Sequence, residues 1–448
     1  MLKDRYGNAV STRSEVALAH YNEALGLIHL YRGDPVAALD AALAEDPDFG
    51  SAWAARAALL VQQTDKSYAD EIERSLRAGA AACLNDRDQA HLAAARDWAT
   101  GRIHGGIFRH ARIAHENPRD VLAVQFAHTG CFFVGMPAEL RDWPLQALRA
   151  FSRGEDGYGV LSGMAAFGLE ECGDYFRAEA FGREAVSLDP RDGWAVHAVA
   201  HVHEMRGDLD AGIPWLADSA DQWSPESGFA YHNWWHLALL YLDAGNIPEV
   251  LRLYDRNIRP DPNSQVILEA IDASALLWRL SLEGVDVGGR FSSVASAWER
   301  AAEDGFYAFN DLHALMAFIG AGREDLAART LKSVRRAASG DGDNAYMSRA
   351  VGLPLAEGFI AFGAGRYAEA AEKILSVRGI AQRFGGSHAQ RDVLTLTALH
   401  AAILAGMKST AEALAHERVQ HKPLSPWAGQ LAQTASGIAA TSRLALAS

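Results

Sequence analysis

The stretch Asp189-Pro190-Arg191-Asp192-Gly193-Trp194-Ala195 reads as the opening of a repeating unit, and the helix it starts runs on to a glycine at position 207. Ala178 and Ala185 precede it at small-residue spacing, and Asp46-Pro47…Trp53-Ala54 repeats the same opening near the N-terminus. Outward from this segment the chain shows one dominant regularity. A glycine follows a long helical pattern and precedes the next at Gly33, Gly101, Gly135, Gly173, Gly207, Gly245, Gly284, Gly322, Gly365 and Gly406. The first gap is 68, twice 34, and the later ones are 34, 38, 34, 38, 39, 38, 43 and 41. Such periods mark arrays of helix-turn-helix units. Glycine suits the site because the residue that closes a helix often needs a left-handed backbone.

The helices are read from apolar positions at i, i+3 and i+4, as in Ala54/Ala57/Ala58 and Leu237/Leu240/Tyr241. The expected fold class is all-α: an α/α superhelix of helical hairpins forming a single domain over residues 1–448. A length of 448 residues would otherwise suggest two or three domains, but stacked hairpins extend one core without closing it. A capping helix is expected after about residue 425.

The small-small-proline spacing of Ala178, Ala185 and Pro190 resembles the tetratricopeptide repeat. A closer resemblance is to the tetratricopeptide-repeat protein 38 family. It is carried by His197-Ala-Val-Ala-His201-Val-His203-Glu204, His232-Asn233-Trp234-Trp235-His236, Ser274-Ala-Leu-Leu-Trp278-Arg279-Leu280, Asn310-Asp311-Leu312-His313 and Gly386-Ser387-His388-Ala389-Gln390-Arg391-Asp392. The resemblance implies an α-superhelix and brings no settled activity with it.

Function is therefore read from the residues. His197 and His201 lie four apart with Glu204 three further on, so the three share a helix face. His232 and His236 repeat the spacing 35 residues later, close to one period. Equivalent positions one unit apart fall on neighbouring helices, so four histidines and a carboxylate are expected to face one concave groove. Counted back from the glycines, His201 stands at −6, His236 and His313 at −9, His197 and His91 at −10, and His232 and His20 at −13. Seven of the 17 histidines thus share one helical face.

Two chemistries follow, with core packing as the bland alternative for any single ring. His197 and His201 could supply nitrogens to zinc or another divalent metal, with His236, Glu204 or Asp272 as a further ligand. Or His197, His201, His232, His236 and Glu204 act as general acids and bases. Ala198 stands where a zincin would need glutamate, so that mechanism is not expected. Ligand contacts are assigned to Trp235, Asp272, Arg279, Asp311, His313, His388, Gln390 and Arg391. Arg279, inside an apolar helix, calls for a carboxylate such as Asp272. Asn310 reads as a helix cap with Asp311 favoured by the helix dipole. Ser387 with Gln390 forms a capping box, while His388 and Arg391 at the same helix start suit an anion. Asp341-Gly342-Asp343-Asn344 lacks the downstream ligands of a calcium loop and reads as a solvated linker.

The remaining features narrow the partners. A net charge of −14 without a basic stripe argues against nucleic acid. No stretch is long and apolar enough for a membrane helix, and the first residues carry no signal-peptide pattern. Three scattered cysteines suggest a reduced, cytoplasmic protein. No nucleotide or flavin signature is found. Two functions are expected to compete. In the first, a pocket centred on about 194–245 binds and acts on a small polar or anionic molecule by hydrolysis, lysis or proton transfer. In the second, a scaffold holds a peptide or partner protein in its groove. Self-association into a homo-oligomer is left open.

Overall fold

The computed structural model describes residues 2–438, and among them the chain is all-α, with only isolated β-bridges outside the helices. The helices come in consecutive antiparallel pairs, such as Tyr158–Glu171 with Tyr175–Leu188. All ten landmark glycines adopt positive φ, between 56° and 82°, and each stands between the two helices of one hairpin. The residue after the glycine completes the device. Asp34, Asp174, Asp208 and Asn246 accept a backbone N–H from the first turn of the second helix, satisfying a donor that a helix start leaves open. One dipeptide thus ends one helix and begins the next.

The doubled spacing between Gly33 and Gly101 conceals a further hairpin, Gly50–Val61 with Ala69–Ala81. Its turn uses Thr64 at φ 52°. A β-branched residue rarely takes this conformation, which is why a search for glycines passes over the unit. The expected linker at Asp341–Asn344 is linker only in its first half, since a short helix, Asp343–Met347, starts within it. Asn344 accepts from Ala308 N–H at 2.9 Å and donates to the Gly305 carbonyl at 2.9 Å. It thereby caps a helix from outside it.

The described chain divides into two compact units, residues Met1–Val202 with Leu216–Asn233, and His203–Trp215 with Trp234–Ser448. The division runs through the helices Gly193–Arg206 and Ala230–Asp243 rather than through a linker. In the first unit the opening hairpin is tied to the loop before residue 230. Gly33 N–H donates to Glu226 O at 2.9 Å, and Gly228 N–H donates to Tyr31 O at 2.8 Å. A buried charge cluster adds to this unit: Asp120 caps its helix while facing Arg87 at 2.6 Å and His91 at 3.0 Å.

The second unit is tied by its C-terminal segment. Ser425 Oγ donates to Asp243 at 2.7 Å, Arg418 pairs with Asp392 at 2.6 Å, and Lys422 approaches Glu204 at 3.6 Å. Ser425 also caps the last described helix, Pro426–Ser436. Residues 439–448 lie outside the described residues.

Helices in a hairpin stack approach closely where a side chain is missing. At Gly168 a Cβ would fall 2.4 Å from Arg141 Cα and 2.5 Å from Leu140 O. At Gly173 a Cβ would meet nothing within 4 Å, so that glycine is needed only for its φ of 78°. Gly168→Ala is expected to destabilise the protein by about 1–3 kcal/mol through overpacking, although alanine is the better helix former by about 1 kcal/mol. Urea denaturation of the two proteins checks this, and equal or greater stability of the variant would show that the helices can move apart freely.

Candidate functional site

The site begins with a cap. Asp192 Oδ1 accepts the N–H groups of Trp194 at 3.1 Å and Ala195 at 2.9 Å, fixing the start of the Gly193–Arg206 helix. Asn233 Nδ2 donates to Gly193 O at 3.0 Å and so locks the next repeat's first helix in register. With that register set, the expected superposition occurs. Nε2 of His232 lies 3.1 Å from Nε2 of His197, across a sequence separation of 35. His201, one turn beyond His197, has its ring centroid 4.4 Å from that ring. One nitrogen from each of His197, His201 and His232 falls within 4.8 Å of the others.

These rings are interior, not displayed along an open groove: His197 is 2% exposed, His201 0% and His232 7%. Their wall is aromatic. Phe167, Trp194 and Phe229 each have a ring centroid 5.1 Å from that of His197, and Tyr31 stacks on Trp194 at 5.4 Å. Behind His201 stands Glu170, fully buried, with a carboxylate oxygen 3.3 Å from Nδ1. Glu171 brings a second carboxylate within 4.8 Å of the same ring.

Sequence reasoning overlooked these two acids. The signal existed: Glu170 lies three residues before Gly173, and Glu204 lies three before Gly207. In the second unit His236 Nδ1 meets Glu204 at 2.7 Å. A carboxylate at −3 of one repeat therefore meets an imidazole of the next repeat twice over.

The other expected ligand contacts lie in the second unit. Trp235 is fully buried, with the Arg279 guanidinium 5.4 Å from its ring centroid. Arg279 hydrogen-bonds the carbonyls of Ala275 at 3.1 Å and Ala389 at 2.7 Å. Burial lowers its pKa, and Asp392 is the carboxylate that opposes this most, with Asp272 last among those acting on it. The capping box is present: Gln390 accepts from Ser387 N–H at 3.0 Å and donates its own N–H to Ser387 Oγ at 3.2 Å. Its side-chain oxygen therefore serves the helix start, while Arg391 donates to Gly386 O. His388 is the first residue of that helix.

Two expectations at Asn310-Asp311 need correction. The helix starts earlier, at Ala308 with Tyr307 at the cap position, so Asn310 falls inside the first turn and does not cap. Asp311 is buried deeply enough that desolvation outweighs the dipole and pushes its carboxyl up to about 8. His313 donates Nδ1–H to Phe309 O at 2.8 Å, and burial lowers its pKa to about 4. Of the other histidines in register, His91 is buried against Asp120, whereas His20 is part-exposed beside Glu23 at 3.7 Å.

The hairpins, their period and their left-handed turns define a tetratricopeptide-like helical-repeat fold. No family model matches the chain. Among solved structures the chain is similar to yeast Tom70, with a TM-score of 0.37 and 13% identity over 94% of this chain and 89% of that one. No helix among the described residues is long and apolar enough to cross a membrane.

The buried ionisable groups fix a pH profile. His29, His313 and His128 have folded pKa values near 4, 4 and 3, below the ordinary 6.5, because burial penalises the charged ring. Unfolded chains bind these protons first, so stability falls as pH drops below about 6.5. Asp192 and Asp311, pushed to about 7 and about 8 by burial, take up protons on folding. They cost stability as pH rises from about 4 to 8. Thermal melts are expected to show greatest stability near pH 6 to 7, and Asp311→Asn should raise the melting temperature at pH 8 far more than at pH 5. An equal effect at both values would mean that Asp311 is ionised in the folded protein.

Proposed function

We propose that the protein binds a small polar or anionic molecule against His197, His201 and His232 and acts on it by hydrolysis, lysis or proton transfer. The observation that carries this reading is the 3.1 Å approach of two buried imidazole nitrogens among aromatic rings. In the metal-free protein one ring donates and the other accepts at that distance, so the pair shares a proton that can be passed to a third group. Glu170, beside His201, stabilises positive charge on that ring as a proton arrives. Phe167, Trp194 and Phe229 supply the apolar body that small-molecule sites surround with a few placed polar groups. His236 and Glu204, paired at 2.7 Å in the second unit, are proposed as a second acid–base pair.

The resemblance to the tetratricopeptide-repeat protein 38 family rests on strings that contain these histidines, and we extend it to this chain as part of the same reading. The three cysteines, all free thiols, fit a cytoplasmic setting. The competing reading, a scaffold holding a peptide or partner protein, is supported by the fold class alone.

The test is a binding screen by thermal shift and calorimetry, using phosphate esters, carboxylates and polar amides, on the wild type and His232→Gln. At least one small molecule should bind the wild type, and the variant should lose about tenfold or more in affinity, or about 1.4 kcal/mol. If no small molecule binds while a peptide library yields ligands unaffected by His232→Gln, the scaffold reading replaces this one.

A further inference from the structure

We propose that His197, His201 and His232 hold one divalent transition-metal ion. This deepens the pocket reading above and rests on the same three rings. The first argument is distance. A tetrahedral zinc ion roughly 2.05 Å from each nitrogen places its ligand atoms roughly 3.3 Å apart. His197 Nε2 and His232 Nε2 are 3.1 Å apart, with a His201 nitrogen inside the same 4.8 Å neighbourhood. The backbone therefore brings the ring nitrogens close to the spacing a small cation demands. Asn233 and the Asp192 cap hold both helices there.

The second argument is the tautomer. A ligand histidine commonly donates its other ring N–H to a carboxylate, which orients the ring and raises its basicity. Glu170 occupies that place beside Nδ1 of His201. The carboxylate's charge at 3.3 Å favours the tautomer with its proton on Nδ1, which leaves the lone pair on Nε2.

The third argument is charge. Glu170 and Glu171 close the C-terminal turn of the Tyr158–Glu171 helix, the end at which its dipole disfavours anions. Both are buried, and a cation next to His201 lowers the cost of keeping them there. Phe167, Trp194 and Phe229 surround the donors with the apolar shell that limits water at metal sites. Three neutral imidazoles suit zinc, copper, nickel or iron rather than calcium or magnesium. His232 supplies a third ligand within this unit. The three ligands of this unit leave a tetrahedral ion one position for a further ligand, water or substrate.

The experiment uses the full chain, stripped with a chelator and titrated with Co²⁺, then Zn²⁺. One equivalent of Co²⁺ should bind with the visible absorption of a tetrahedral or five-coordinate ion, and Zn²⁺ should displace it. His197→Gln should abolish that absorption. Glu170→Gln, a positioning change, should keep the spectrum but weaken binding by about 10- to 100-fold. X-ray absorption on the zinc-loaded wild type, which needs no variant to fold, should show a shell of imidazole nitrogens.

Failure of the wild type to bind either metal, or a zinc shell of oxygens alone, overturns the proposal. Should metal be absent while His232→Gln still loses small-molecule binding, the metal falls and the pocket reading stands. If metal binds and no small molecule does, the reverse holds.

Discussion

The hairpins turn on residues with a left-handed backbone, ten of them glycines, and this constraint sets everything that follows. A turn built on a residue with positive φ has nearly fixed length, so one repeat follows another at 34 to 43 residues over most of the chain. Fixed spacing places chemically like residues on neighbouring helices in register. His197 meets His232 because 35 residues separate them and Asn233 reaches Gly193. The repeated carboxylate–imidazole pairs, Glu170 with His201 and Glu204 with His236, are products of the same spacing.

The interior that results is unusually polar for a helix stack. Burying an imidazole or carboxylate is costly unless its hydrogen bonds or charge are matched. The stack meets this cost by local pairing in several places, such as Asp120 with Arg87 and His91, or His29 with Gln125 at 2.5 Å. Elsewhere it leaves the group neutral: Asp311 is protonated near neutral pH, and His128 is uncharged. The histidine constellation differs from both. Three rings converge there beside two carboxylates, and that convergence sets it apart from a buried histidine bonded to a carbonyl, as His313 is.

Most of the fold was legible in the sequence because glycine is the usual residue for positive φ, and all ten glycines marked true turns. The exception was chemical: Thr64 took the same conformation without glycine's signature, so its hairpin was read as a doubled interval. The histidine pairs were legible for the same reason as the turns, since a period near 35 superimposes them. Glu170 has no histidine beside it on its own helix to mark it, although its place three residues before a glycine matches that of Glu204. The caps were harder. Asn310 looks like an N-cap by residue type, but the helix begins two residues earlier at Ala308, whose N–H is met by Asn344, distant in sequence. Burial was the least legible quantity. Nothing local in Asn310-Asp311-Leu312-His313 says that the carboxyl is deep enough to keep its proton.

The bonds that join Tyr31 and Gly33 to Gly228 and Glu226 have a consequence for how this molecule can change over time. An open array gains or loses a unit at little cost, because the neighbours simply restack and the polar end caps move with them. A first unit whose opening hairpin is sewn to its closing loop has no spare end to lengthen. Inserting one more hairpin between them would break the seam and shift the histidines out of register together. Repeat number in this part of the chain is therefore a fixed trait, open to change in side chains but not in count.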